Sequence, residues 1–248
     1  MVKKIRILVL VFILCGSLSS YSQVYFGGRV GLNMSTLSIQ PELVDYNKVS
    51  EFVPKLNVNI AALAYFELGP YIALQPEFIY NRKGLKSSVE SHLDANNDSL
   101  LTGEWNYSFD YLEFPLMIKL SLNSDGFDPF IEFGAYYGYM FNAHYTAEAY
   151  VNNEQVLDED YGLGFGDDKN KSLNQNEYGY KIGIGGALAL SKGVAFFSIR
   201  YSQGLTDVVN YQVKPEDYRA TYNRVFQLTL GYAFELRGSN NKKKIYYY

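Results

Sequence analysis

Residues 223–234 read NRVFQLTLGYAF, with a large apolar side chain at every second position from Phe226 onward. Phe226, Leu228, Leu230, Tyr232 and Phe234 share one face of an extended chain, and Asn223, Val225, Gln227, Thr229, Gly231 and Ala233 share the other. Successive side chains of a strand point to opposite faces, so this pattern specifies a strand with one apolar side. Its backbone edges need partners as well, because an unpaired edge in an apolar medium leaves a row of unsatisfied N–H and C=O groups.

Seven further segments carry the same period. They are residues 24–34, 55–67, 71–81, 107–120, 129–143, 178–190 and 194–201. Pro76 interrupts the third, and because proline cannot donate to a ladder it predicts a bulge there. The connections are long (35–54), short (Gly69-Pro70), long (82–106), short (121–128), long (144–177), short (191–193) and long again. An up-and-down barrel with both termini at one end predicts this alternation.

Residues 1–22 read as a secretory leader. Lys3, Lys4 and Arg6 precede a short apolar run, residues 7–14, and Ser20 and Ser22 supply small residues before Gln23. Cys15, the only cysteine, lies inside that segment after Leu14, which does not fit a lipid-attachment box. The mature chain then has no thiol chemistry. About 225 residues remain, enough for one all-β domain and without an apolar run long enough for a membrane helix. A net charge of −4 argues against nucleic acid as a partner.

Alternation alone fits a soluble barrel with an apolar interior as well as a membrane barrel with an apolar exterior. Three features favour the second. Glycines 27, 31, 134, 138, 179, 183 and 185 share the polar face, which suits an interior barely wider than its side chains. The apolar face carries more Leu, Ile and Phe than such an interior could hold. Aromatics gather toward the strand ends, with Phe26, Phe66, Phe130 and Phe234 at the turn end and Tyr80, Tyr139, Phe141, Tyr180 and Tyr201 at the loop end. These are expected as two interfacial girdles. The fold class expected is therefore all-β, an eight-stranded antiparallel up-and-down transmembrane β-barrel over residues 23–236, located in the outer membrane, with a basic tail at 237–248. Inward parity places Arg29, Lys55, Lys119, Lys181 and Arg200 beside Glu67, Glu77, Glu113 and Glu132, a nearly balanced set expected to pair and fill the lumen.

Candidate chemistry is sparse. Gly183-Ile184-Gly185-Gly186 lacks the spacing of a phosphate loop and falls inside a strand. Asp94, Asn96 and Asp98 match the first three positions of a calcium loop, but Ser99 replaces the glycine and Trp105 stands at position twelve. Asp158, Asp160 and Gly162 form a second acidic group. His92 and His144 are the only histidines, and a rim hydrolase would require His144 to meet Ser172 or Asp167. No catalytic, cofactor-binding or metal-binding residue is assigned, and no cofactor.

Four stretches carry a family resemblance: FGGRVGLNMSTL at 26–37, YLEFPLMIKL at 111–120, PFIEFGAYYGYMF at 129–141, and the closing strand. In these the chain resembles the PorT-like outer-membrane β-barrel family of Bacteroidota. The resemblance implies an eight-stranded barrel. One member of that family takes part in type IX secretion, and no motif here carries that role over. The function expected is a non-enzymatic outer-membrane barrel whose long outer loops bind a partner or support an envelope or secretion assembly. A small pore is the alternative, followed by a lipid-modifying or proteolytic enzyme. The expected partners are outer-membrane lipid, lipopolysaccharide and an extracellular or envelope protein, with the barrel itself monomeric.

Overall fold

A computed structural model of the chain describes residues 23–38, 50–92, 100–122, 127–165, 172–210 and 220–237. The leader, the tail beyond Arg237 and the calcium-like stretch at Asp94, Asn96 and Asp98 lie outside the described residues. The strands are β1 (Val24–Ser38), β2 (Ser50–Glu67), β3 (Ile72–His92), β4 (Leu100–Ser121), β5 (Phe127–Val151), β6 (Glu154–Gly162), β7 (Ser172–Leu173), β8 (Asn176–Leu190), β9 (Gly193–Gly204), β10 (Val209–Asn210) and β11 (Tyr222–Arg237).

Eight of them close a ring in the order β4-β3-β2-β1-β11-β9-β8-β5, with β5 pairing back onto β4. Every pairing in it is antiparallel. The first and last strands form the seam, from Tyr25↔Glu235 to Ser38↔Tyr222. Closure removes the edges that hydrocarbon cannot satisfy.

The faces follow the sequence parity. Val30, Ile60 (57% exposed), Ile184 and Leu230 (64%) point away from the ring, whereas Arg29, Glu113 (0%), Lys181 and Arg200 (1%) point into it. Only an apolar surrounding makes that inversion favourable, because burying apolar area from water is what stabilises a soluble core. Phe26, Phe234, Tyr139, Phe141 and Tyr180 stand outward as expected. Phe130 does not. It shares parity with Glu132, is 3% exposed and lines the lumen.

The strands run further than the alternation indicated. The connection expected at 82–106 is largely paired backbone, since β3 and β4 keep register from Arg82↔Asp110 to His92↔Leu100. The long connection at 144–177 likewise continues β5 to Val151 and turns back through Asn152 and Asn153 into β6. Both asparagines have positive φ (48° and 68°), as a two-residue hairpin turn of this hand requires. Above the lipid belt neither face meets hydrocarbon, so period two fades from the sequence although the ladder continues. The expected bulge at Pro76 is absent: Leu63↔Glu77 and Phe66↔Leu74 keep one register across it, as does Pro76↔Leu116. Register shifts fall instead at 54–59 of β2, between Asp110 and Tyr111, at Ala149/Tyr150 and at Val24/Tyr25.

Candidate functional site

The lumen is crossed by two sets of ion pairs. In the set nearer the turns, Arg200 on β9 holds two carboxylates. Its Nη1 and Nη2 donate to Glu77 on β3 at 3.0 and 2.9 Å, and its Nε and Nη2 bond Glu132 on β5, the latter at 2.6 Å. β9 and β3 lie four strands apart in a ring of eight, so this side chain spans opposite walls. Arg29 Nη2 lies 2.7 Å from Glu77, and Gln75 Nε2 donates to the same carboxylate.

Nearer the loops, Lys83 Nζ lies 2.7 Å from Glu113 and 2.9 Å from Glu177, and Lys181 Nζ donates to the other oxygen of Glu113 at 2.7 Å. Asn223 Nδ2 and the Tyr136 hydroxyl also donate to Glu177. Asn81 bridges the wall, donating to Glu113 at 2.9 Å and accepting from Asn33 at 2.6 Å. Arg29, Lys83, Lys181 and Arg200 therefore face Glu77, Glu113, Glu132 and Glu177, all buried. A charge in so narrow a space is tolerable only when it is paired and hydrogen-bonded.

Apolar residues close both ends. Toward the turns Tyr25, Leu63 and Ala233 pack with Tyr65, Val194 and Phe196. Lys119 stands among them with Nζ 3.6 Å from the Phe130 ring centroid, a cation–π contact in place of a carboxylate. Toward the loops Phe109, Tyr111, Met140, Ala143 and Val208 form a second cluster, covered by Leu163, Phe165 and Leu173. Backbone bonds from Leu163 N to Ala143 O, Asn174 N to Val208 O and Val208 N to Thr221 O (2.8–2.9 Å) hold that cover down.

Two residues of the network were not expected from sequence. Lys83 and Glu177 fall in the connections 82–106 and 144–177 on the sequence pattern. Each lies two residues beyond an inward position, Asn81 and Gly179, so extending each strand's parity by one step finds both. Three expected members stand outside the ion pairs. Lys119 lies on the Phe130 ring, Lys55 leaves the lumen and donates from Nζ to Ser108 Oγ at 2.7 Å, and Glu67, only half-buried, forms no ion pair among the described residues.

His144 lies on β5 and not in a loop, with Nε2 2.5 Å from Asp160 Oδ1. Asp160 sits on β6, so the acidic group at Asp158–Gly162 is strand. No set of His, Cys, Asp or Glu able to hold a metal forms among the described residues. Asp167 and the side chains of Ser172 and His92 lie outside them. The serine that does neighbour His144 is Ser108, its cross-strand partner, whose hydroxyl is engaged by Lys55. Gly183, Gly185 and Gly186 form wall against Arg200, Phe130 and Phe127, and cradle no loop.

The profile of a family described as outer membrane protein beta-barrel domain matches residues 19–210. Among solved structures, neisserial surface protein A is similar at 8% identity, covering 87% of this chain and 99% of that one, with a TM-score of 0.45. Ail, the attachment invasion locus protein of Yersinia pestis, is 12% identical over 86% and 99% of the two chains, with a TM-score of 0.35. The outer membrane protein OprG from Pseudomonas aeruginosa is 12% identical over 86% and 96%, with a TM-score of 0.39. No curated protein sequence matches the chain.

Proposed function

The chain belongs to the outer membrane protein β-barrel domain family, and from that premise we propose a non-conducting, non-enzymatic barrel that presents its loop end to a partner. The observation that carries this is the occupied lumen. Balanced, mutually bonded charges with an apolar seal at each end leave no continuous polar path of one sign, which a selective pore requires. Refolded protein in planar bilayers is expected to give no steady conductance. A reproducible open level from the wild type would overturn this reading and install the pore.

A hydrolase is the second reading, favoured by one observation, the adjacency of Ser108, His144 and Asp160 across three neighbouring strands. Against it, Ser108 Oγ is bonded by Lys55 and not by His144. The same refolded protein incubated with outer-leaflet glycolipid should release no fatty acid. Release abolished by His144→Ala would replace the first reading with the second.

The partner reading rests on the sheet that β3, β4, β5 and β6 raise beyond the belt, and on the resemblance to PorT-like barrels, which supports a place beside a larger envelope assembly. Residues 1–22 fit as the leader that delivers the chain there. Covalent capture in intact envelopes should enrich a specific protein with the wild type and lose it when the β5–β6 hairpin is shortened across residues 150–155. Capture unaffected by that deletion would remove the hairpin from the interface.

A further inference from the structure

The outward face of the barrel changes from apolar to charged at one level on three neighbouring strands. On β2 it runs from Phe66 through Ile60 and Val58 to Leu56 and then meets Lys55; on β3 it runs from Ile72 through Phe78 and Tyr80 to Arg82. On β4 it runs from Leu120 through Phe114 and Leu112 to Asp110. Each run takes about ten residues, the length at which a tilted strand leaves the hydrocarbon. Short turns face the periplasm and long loops the exterior in such barrels, so this level is the outer-leaflet boundary.

The charges at that level are unevenly placed. Lys55, Arg82 and Lys86 lie on β2 and β3, and Arg224 lies on β11 with one strand, β1, between it and β2. The carboxylates that face them, Asp110 and Glu104, are both on β4 at one end of the arc. Asp110 is fully engaged, taking Arg82 Nε and Nη2 at 2.6 and 3.1 Å, the Tyr80 hydroxyl at 2.8 Å and Asn142 Nδ2 at 2.9 Å. Glu104 accepts from Asn106 Nδ2 at 2.9 Å and lies 2.6 Å from Lys86 Nζ. Among the described residues Lys55 and Arg224 bond only neutral partners, Ser108 Oγ and Gln203 Oε1. Beyond Arg224 around the ring, β9 and β8 present Tyr201, Gln203 and Tyr180 at this level, with no lysine or arginine among the described residues.

Lys55 reaches its position because of Gly84. Pro54↔Leu85 and Gly84↔Ser108 set Lys55, Gly84 and Ser108 side by side across β2, β3 and β4. Gly84 has a φ of +146°, and a Cβ there would come within 1.9 Å of Tyr107 O, so the position excludes a side chain. The lysine lies across the space this leaves. Among the described residues the result is a surplus of positive charge, half-exposed, directly above an apolar wall.

We propose that the arc of Arg224, Lys55, Arg82 and Lys86 docks the phosphate of an outer-leaflet glycolipid, the lipid A portion of lipopolysaccharide. Ammonium and guanidinium groups supply charge-assisted bonds to phosphate oxygens, and the apolar strand faces beneath accept the acyl chains of the same molecule. A free anion would use only the first half of this surface.

Native mass spectrometry of the detergent-solubilised full chain tests it, with diphosphoryl lipid A, dephosphorylated lipid A and inorganic phosphate as probes. The variant is Lys55→Gln with Arg224→Gln, which strands no carboxylate, and retained heat-modifiable migration verifies its fold. Wild-type protein should bind diphosphoryl lipid A roughly tenfold more strongly than the dephosphorylated form, and the double variant should lose that preference. Lys192→Gln, in the β8–β9 turn at the opposite end, should keep it. Equal binding of the two lipids, or an unchanged preference in the double variant, would overturn the proposal. So would displacement of the lipid by excess inorganic phosphate, which marks a free-anion site. None of these outcomes depends on whether the barrel conducts.

Discussion

Replacing Arg200 by alanine is expected to destabilise the folded barrel by about 3–5 kcal/mol, the range for removing one member of a buried ion pair. The cause is less the loss of an attraction than the state of what remains. Glu77 would keep only Arg29 and Gln75, and Glu132 would lose the guanidinium that bonds both of its oxygens. Two carboxylates would then share a narrow, sealed space with one cation fewer. The strands they sit on, β3 and β5, would also lose their cross-lumen tie to β9. Urea unfolding in lipid vesicles reads the effect. Lys86→Ala breaks a partly exposed pair with Glu104 and should cost at most about 1 kcal/mol. Equal losses from the two variants would mean that water reaches the Arg200 network and that the lumen is not the sealed core described above.

The seam is expected to be as sensitive as the lumen, for a steric reason. Gly27 on β1 pairs with Ala233 on β11, where the first and last strands meet. A Cβ at Gly27 would come 2.1 Å from Tyr232 O and 2.5 Å from the Ala233 Cα, both backbone atoms that cannot turn aside as a side-chain tip could. Gly27→Val therefore forces the seam apart or shifts its register. A one-residue slip would turn Phe226, Leu228, Leu230 and Phe234, the apolar outer face of β11, into the lumen. The cost should lie at or beyond the upper end of the ~1–3 kcal/mol usual for overpacking, enough to deplete the folded species. Heat-modifiable migration should show mostly unfolded protein. Gly69→Val, in a turn where an added Cβ meets nothing within 4 Å, should fold like the wild type. A Gly27→Val protein that folds normally would show that the strands close less tightly than this geometry requires.

Neither variant could have been ranked from the sequence. Gly27 and Gly69 are both glycines beside apolar residues, and Arg200 and Lys55 both hold inward parity. What separates each pair is the distance to an atom far along the chain: Ala233 for Gly27, and Glu77 and Glu132 for Arg200. The same holds for the outer arc. Lys55, Arg82 and Arg224 are scattered over the sequence and become neighbours only through the order β11-β1-β2-β3.

The sequence by itself determined the number of ring strands, the face each turns to lipid and the end at which the connections are long. Those properties are local. Period two is imposed residue by residue, by the pleat and by contact with two different surroundings, so any stretch of a strand within the belt displays it. Phe130 follows parity with Glu132 into the lumen and not the outward preference of its residue type. Beyond the belt the surroundings of the two faces become alike, the pattern lapses, and the hairpins β3–β4 and β5–β6 read as loops although their ladders continue. Only the tertiary structure decided which charge meets which. Pairing across a closed ring depends on the stagger of all eight strands together, and one register shift on β2, beside Gly84, was enough to carry Lys55 from the lumen to the outer face.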